Sequence, residues 1–163
     1  MEYIYIGKIV NTHGIKGEIR IISDFKYKSD VFKSGFNLYI GKAKIKEVIN
    51  TYRKHKNYDM VTFNNINDIN DVLKYKGMNV YILRDELNID GILDEDIIGM
   101  KVYSKDKEIG TVTEIMKSVA HDILVIEDNN KKYLVPYIDE FVEKIDVKNR
   151  KINIKEIEGL LWK

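Results

Sequence analysis

Along most of this chain, apolar and polar positions alternate with a period of two over short runs, the pattern of strands with one buried face. Residues 3–10 are rich in β-branched and aromatic side chains, and residues 18–23 set Ile19 and Ile21 on one face against Glu18 and Arg20 on the other. These predict paired strands. Between them lies Asn11-Thr12-His13-Gly14-Ile15-Lys16-Gly17, whose two glycines can take positive φ at little steric cost. Residues 36–40, 44–53 and 58–63 predict three more strands, divided by Gly41 and by the polar turn Lys54-His55-Lys56-Asn57. A helix of about two turns is predicted after Asn67 as N-cap, with Ile69, Val72 and Leu73 on one face and Gly77 to stop it. With residues 79–83 as a sixth strand, the first half fits a closed barrel.

Residues 84–96 are acidic and without period, as expected of a linker, so the chain divides into residues 1–86, a linker at 87–96 and residues 97–163. The second half predicts strands at 97–103, 108–115, 122–127, 132–137, 141–147 and 151–154, separated by polar turns such as Ser104-Lys105-Asp106-Lys107. Strands at this spacing predict a second small barrel. Tyr137 and Phe141 flank the turn at Pro136 and are expected in its core, and Leu160, Leu161 and Trp162 are expected to dock on a barrel. The fold class is therefore mainly β, with two small barrels joined by a short linker.

Composition supports a packed core: 44% of residues are hydrophobic and 33% charged. There is no cysteine, which removes disulfides, thiolate zinc sites and cysteine nucleophiles together. No run approaches a membrane span, and the chain opens on a strand pattern rather than a signal sequence, so a cytoplasmic protein without membrane partners is expected. Net charge is +1, yet residues 1–86 hold 15 Lys and Arg against 10 Asp and Glu, while residues 87–163 hold 12 against 16. A basic half suits phosphate backbones and an acidic half suits a basic protein.

Candidate chemistry is sparse. His13, His55 and His121 are too dispersed for a metal-ligand spacing, and His121-Asp122 has no serine elbow or cysteine to activate. Gly14-Ile15-Lys16-Gly17 lacks the spacing and following helix of a phosphate loop. Acidic runs such as Asp94-Glu95-Asp96 read as solvated surface. No catalytic residue, metal or cofactor is expected, and binding becomes the leading class. Lys8, Lys16, Arg20, Arg53, Lys54 and Lys56 are the candidates for facing RNA phosphates.

Particular strings resemble the RimM family. They are Gly7-Lys8-Ile9-Val10, His13-Gly14-Ile15-Lys16-Gly17-Glu18, Ser23-Asp24-Phe25, Arg53-Lys54-His55-Lys56 and Leu73-Lys74-Tyr75-Lys76-Gly77. In the second half they are Asp96-Ile97-Ile98-Gly99-Met100-Lys101-Val102, Glu108-Ile109-Gly110-Thr111-Val112, His121-Asp122-Ile123-Leu124-Val125, Leu134-Val135-Pro136 and Glu158-Gly159-Leu160-Leu161. Each alone is weak, but their joint order is specific. The resemblance implies a translation-factor-like six-stranded N-terminal barrel and a PRC-barrel-like C-terminal domain in a non-enzymatic chaperone of ribosome assembly. That chaperone would act on the 30S head and 16S rRNA processing. The implied partners of a monomeric factor are the small-subunit ribosomal protein numbered nineteen and nearby 16S rRNA.

One departure stands out. Where the family usually has two adjacent tyrosines, this chain has Ile92 and Leu93. Two readings stay open for that pair, docking on the chain's own barrels or serving as an apolar anchor for the ribosomal protein, with Asp94 and Asp96 as its acidic neighbours. The rival functions are an RNA-only barrel of translation-factor type, which has no need of an acidic second half, and a flavin-reductase-like enzyme, which would carry bound flavin.

Overall fold

The computed structural model describes residues 2–155, so Leu160, Leu161 and Trp162 lie outside the described residues. The chain divides into two units, Met1–Asp90 and Gly91–Lys163.

In the first unit the strands are β1 (Tyr3–His13), β2 (Glu18–Ile22), β3 (Asn37–Ile40), β4 (Ile45–His55), β5 (Tyr58–Phe63) and β6 (Asn79–Leu83). They close into a barrel in the order β1-β2-β5-β4-β3-β6, with β6 paired back onto β1. Closure leaves every strand paired on both edges, so the core can be filled by inward side chains alone. Ile4, Ile6, Ile9, Ile19, Ile21, Leu38, Val61 and Ile82 fill it and are almost fully buried. β1 serves two neighbours by bending at two irregularities, one between Tyr5 and Gly7 and one between Ile9 and Asn11. Gly7 is required there, because a Cβ would lie 2.5 Å from the Ile22 carbonyl oxygen.

Two local expectations are corrected. Residues 67–77 form not a helix but two single 3₁₀ turns, Ile69–Asp71 and Leu73–Tyr75. The cap is Asp68 rather than Asn67, its side chain accepting from the Asn70 N–H at 2.9 Å. Val72 and Tyr75 must both reach the core, and a two-turn segment gains too little from helix propagation to resist that demand. One element unforeseen in the sequence is α1 (Lys28–Val31), a single turn that buries Val31 and delivers Phe32 onto the Tyr52 ring, at 5.8 Å and nearly parallel. Beneath it Asp59 is fully buried, accepting from the Tyr52 hydroxyl at 2.7 Å and pairing with the Lys28 ammonium at 2.9 Å.

The second unit starts with α2 (Asp94–Ile97), a single turn where a linker end and strand start were expected. Its strands are β7 (Lys101–Ser104), β8 (Lys107–Met116), β9 (Ile123–Glu127), β10 (Lys132–Pro136), β11 (Val142–Asp146) and β12 (Lys151–Ile154). They form one six-stranded sheet in the order β10-β9-β8-β7-β12-β11, antiparallel except where β12 runs parallel to β7. Ile97, Met100, Val102, Val112, Leu124, Ile126, Val135 and Ile152 make its core, and Tyr137 and Phe141 pack against it as expected. Among the described residues no helix is long and apolar enough to cross a membrane.

Candidate functional site

The cationic candidates of the first unit come together through strand register. Asn11 on β1 faces Arg20 on β2, Arg20 faces Met60 on β5, and Met60 faces Arg53 on β4, so one line of side chains crosses four strands. Arg20 Nη2 donates to His13 Nδ1 at 2.7 Å, and its guanidinium carbon lies 5.4 Å from the Tyr58 ring centre. Arg53 binds Glu18 through two hydrogen bonds, Nε to Oε2 at 2.9 Å and Nη2 to Oε1 at 2.8 Å. The Arg53 hydrogen bonds hold the Glu18 carboxyl below its usual range, and part of the Arg53 charge is thereby neutralised inside the protein. Lys16 and Lys56, in the β1–β2 and β4–β5 turns, flank this cluster and are exposed. Among the described residues no carboxylate pairs with either one.

Two candidates stand apart from it. Lys54 lies opposite Asp59 in the β4–β5 register, and alternation turns it to the opposite face from Arg53. Lys8 lies farther along β1, opposite Ile22 and Asn79, on the same outward face as the cluster.

Three members were missed as a group: His13, His55 and Tyr58. The rings of His13 and His55 are 5.9 Å apart, although the histidines were expected to be dispersed. Desolvation, then the Arg53 charge, lowers the His55 pKa. The outward positions of β4 and β5 were legible from alternation, but which strand neighbours which was not. Among the described residues there is no cluster of three or more metal-ligating side chains.

The turn that carries Lys16 is fixed by the fold. The Ile69 N–H donates to the Ile15 carbonyl at 2.9 Å, and Gly17 takes φ +95° where a Cβ would lie 3.1 Å from Ile66 Cγ2. Gly17→Ala is expected to cost about 1–3 kcal/mol from the left-handed backbone and the close approach together, read as a lower denaturant midpoint. A loss under about 0.5 kcal/mol, the scatter of ordinary surface changes, would show the turn to be adaptable.

In the second unit the pair Ile92 and Leu93 is not an exposed anchor. Leu93 is only 5% exposed, and Ile92 is partly buried against the core of its own unit. Asp96 is also buried, its Oδ2 accepting from the Leu93 N–H at 2.9 Å, so this carboxylate caps α2 instead of facing a partner. Arg150 clamps the same turn, donating to the carbonyls of Asp96 at 2.8 Å and Ile98 at 3.1 Å. The reason is local: a turn rich in acids leaves backbone groups to satisfy, and burying two aliphatic side chains holds it down. Of the four candidates Asp94 alone keeps its carboxylate at the surface, bridged by Lys117, which also binds Asp122.

A closed barrel with an arginine, histidine and tyrosine face, followed by a β unit with an acid-rich first turn, has the build of a two-domain β binding factor. The first unit matches the model of the RimM N-terminal domain over residues 4–87, and the second that of the RimM PRC barrel domain over residues 94–160. The chain belongs to the RimM family, a family of ribosome maturation factors and not of enzymes, which removes the flavin-reductase reading. It is 38% identical to the ribosome maturation factor RimM of Exiguobacterium sibiricum, over 99% of each chain. It is 44% identical to that of Staphylococcus saprophyticus, over 97% of this chain and 98% of the relative. Among solved structures it is similar to a 16S ribosomal RNA processing protein RimM from Pseudomonas aeruginosa, with 18% identity, a TM-score of 0.44, and 96% and 98% of the two chains covered.

Proposed function

We propose that this protein assists late maturation of the 30S head and 16S rRNA processing by holding small-subunit ribosomal protein nineteen and the rRNA beside it. The observation that carries the reading is the match of both halves, in order and over nearly their whole length, to ribosome maturation factors. Charge supports a division of labour. Within the unit boundaries, residues 1–90 hold 15 Lys and Arg against 11 Asp and Glu, and residues 91–163 hold 12 against 15. The first unit meets RNA phosphates through Lys16, Lys56, Arg20 and Arg53, with Lys8 and Lys54 at the margins. The second meets a basic ribosomal protein through Asp94 and its neighbours. An RNA-only barrel would leave the acidic second unit without a task.

Co-sedimentation with immature 30S particles over a range of salt tests this. Lys16→Ala with Lys56→Asn is expected to leave folding intact, since asparagine tolerates the φ of +55° at position 56. The slope of log K against log salt should shrink by about 1 for each phosphate that is no longer neutralised. An unchanged slope removes these lysines from the interface. Failure of the unaltered protein to sediment with immature particles overturns the whole reading.

A further inference from the structure

On the outer face of the first barrel, away from the arginine cluster, register aligns Tyr5 on β1 with Tyr81 on β6, Tyr81 with Tyr39 on β3, and Tyr39 with Lys46 on β4. Three tyrosines on adjacent strands thus form one row with a lysine at its end, and Tyr3 extends it against Tyr39, ring centres 5.4 Å apart. Tyr5 meets Tyr81 edge to face at 6.0 Å and is 52% exposed, an unusual exposure for a large ring in the middle of a strand. The Lys44 ammonium lies 4.2 Å from the Tyr81 ring centre and 5.4 Å from that of Tyr3. Lys44 adopts φ +53°, a conformation glycine or asparagine would fill with less strain.

We infer that this row is a stacking platform for unpaired RNA bases, with Tyr5 offering an open ring and Lys44 a pre-positioned phosphate ligand. Three observations favour RNA over a protein partner. Tyr5 presents an open ring on a rigid strand, backed edge to face by Tyr81, while Tyr39 is buried and only braces the row. A base stacked on Tyr5 tolerates any sequence. The rim is cationic, with Lys44 and Lys46, while the Glu86 carboxylate is occupied by the Tyr39 hydroxyl and the Asn37 amide at 3.0 Å each. The third is continuity: β1 exposes Tyr5, Lys8 and Asn11 in turn, so Lys8 stands between the platform and the arginine cluster. A single strand stacked on Tyr5 would run its backbone past Lys8 toward Arg20. Lys8 thereby gains a role that the arginine cluster alone does not give it.

The inference rests on the rRNA-binding part of the proposed function, and the test separates the two. Binding of the full chain to a fluorescein-labelled ten-residue oligouridine and to an RNA hairpin of blunt duplex is measured alongside co-sedimentation with immature 30S particles. The single strand should bind more tightly than the duplex. Tyr5→Ala should weaken it about 5- to 150-fold, the range for loss of one stacked base, while Tyr5→Trp restores it. Lys44→Gly relieves the backbone strain, so it keeps the fold, and should weaken binding with a salt slope smaller by about 1. Unchanged oligouridine affinity in both variants overturns the platform, even where co-sedimentation persists and the proposed function stands. Loss of co-sedimentation in these variants with no oligouridine binding by the unaltered protein also overturns it, in favour of a protein docking on the same face.

Discussion

Replacing Ile92 and Leu93 together by alanine is expected to lower stability by about 3–6 kcal/mol, because a buried Leu truncated to Ala costs ~2–5 kcal/mol and the half-buried Ile92 adds less. The loss falls on folding before it falls on binding. Leu93 is covered within the chain, and its backbone N–H is tied to the Asp96 carboxylate that shapes α2. Guanidinium denaturation of the double variant, with ribosomal-protein binding measured where it is still folded, checks both halves of the statement. A normal denaturation midpoint with impaired binding would restore the pair as an anchor. Ile92 and Leu93 thus pack with the core of their own unit.

The second large effect is expected at Asp59. Its carboxylate is fully buried between the Tyr52 hydroxyl and the Lys28 ammonium, and removing one partner of a buried pair costs ~3–5 kcal/mol. Because Lys28 is 27% exposed and can regain water, Asp59→Ala should fall at the low end, about 3 kcal/mol. Asp59→Leu combined with Lys28→Met should recover most of the loss, since an apolar pair of similar volume can replace a buried ion pair. Calorimetry of the three variants decides, and a loss below about 1 kcal/mol for Asp59→Ala would mean that the pair is weakly coupled to folding.

The same site gives a pH dependence. Burial, then the Asp59 hydrogen bond, pushes the Tyr52 phenol up to about 12. Its folded value lies above the unfolded value of ~10, so its contribution to stability is complete below that pH and is lost as pH rises toward 12. Tyr52→Phe should therefore flatten the alkaline limb of the stability curve between those values while leaving neutral pH less stable. An unaltered alkaline limb would assign that loss to other groups.

Much of this architecture was written locally. The alternation of Glu18, Ile19, Arg20 and Ile21 determined which side chains face the core, and the positions of Gly14, Gly17 and Gly41 determined where the chain turns, because period and positive φ are properties of a few consecutive residues. The order of family strings was legible for the same reason. What the sequence did not determine is everything that depends on strand neighbours. Only the pairing of β1 with β2, of β2 with β5 and of β5 with β4 brings His13 beside Arg20 and His55, and only closure of β6 onto β1 and β3 aligns Tyr5 with Tyr81 and Tyr39. The acidic stretch before β7 shows the limit most plainly. Its composition predicted a solvated linker, but burial of Leu93 and the Arg150 clamp, contributed from more than fifty residues away, make it part of the second unit's fold. Period and turn chemistry are local, whereas burial and register are free energies of the whole chain.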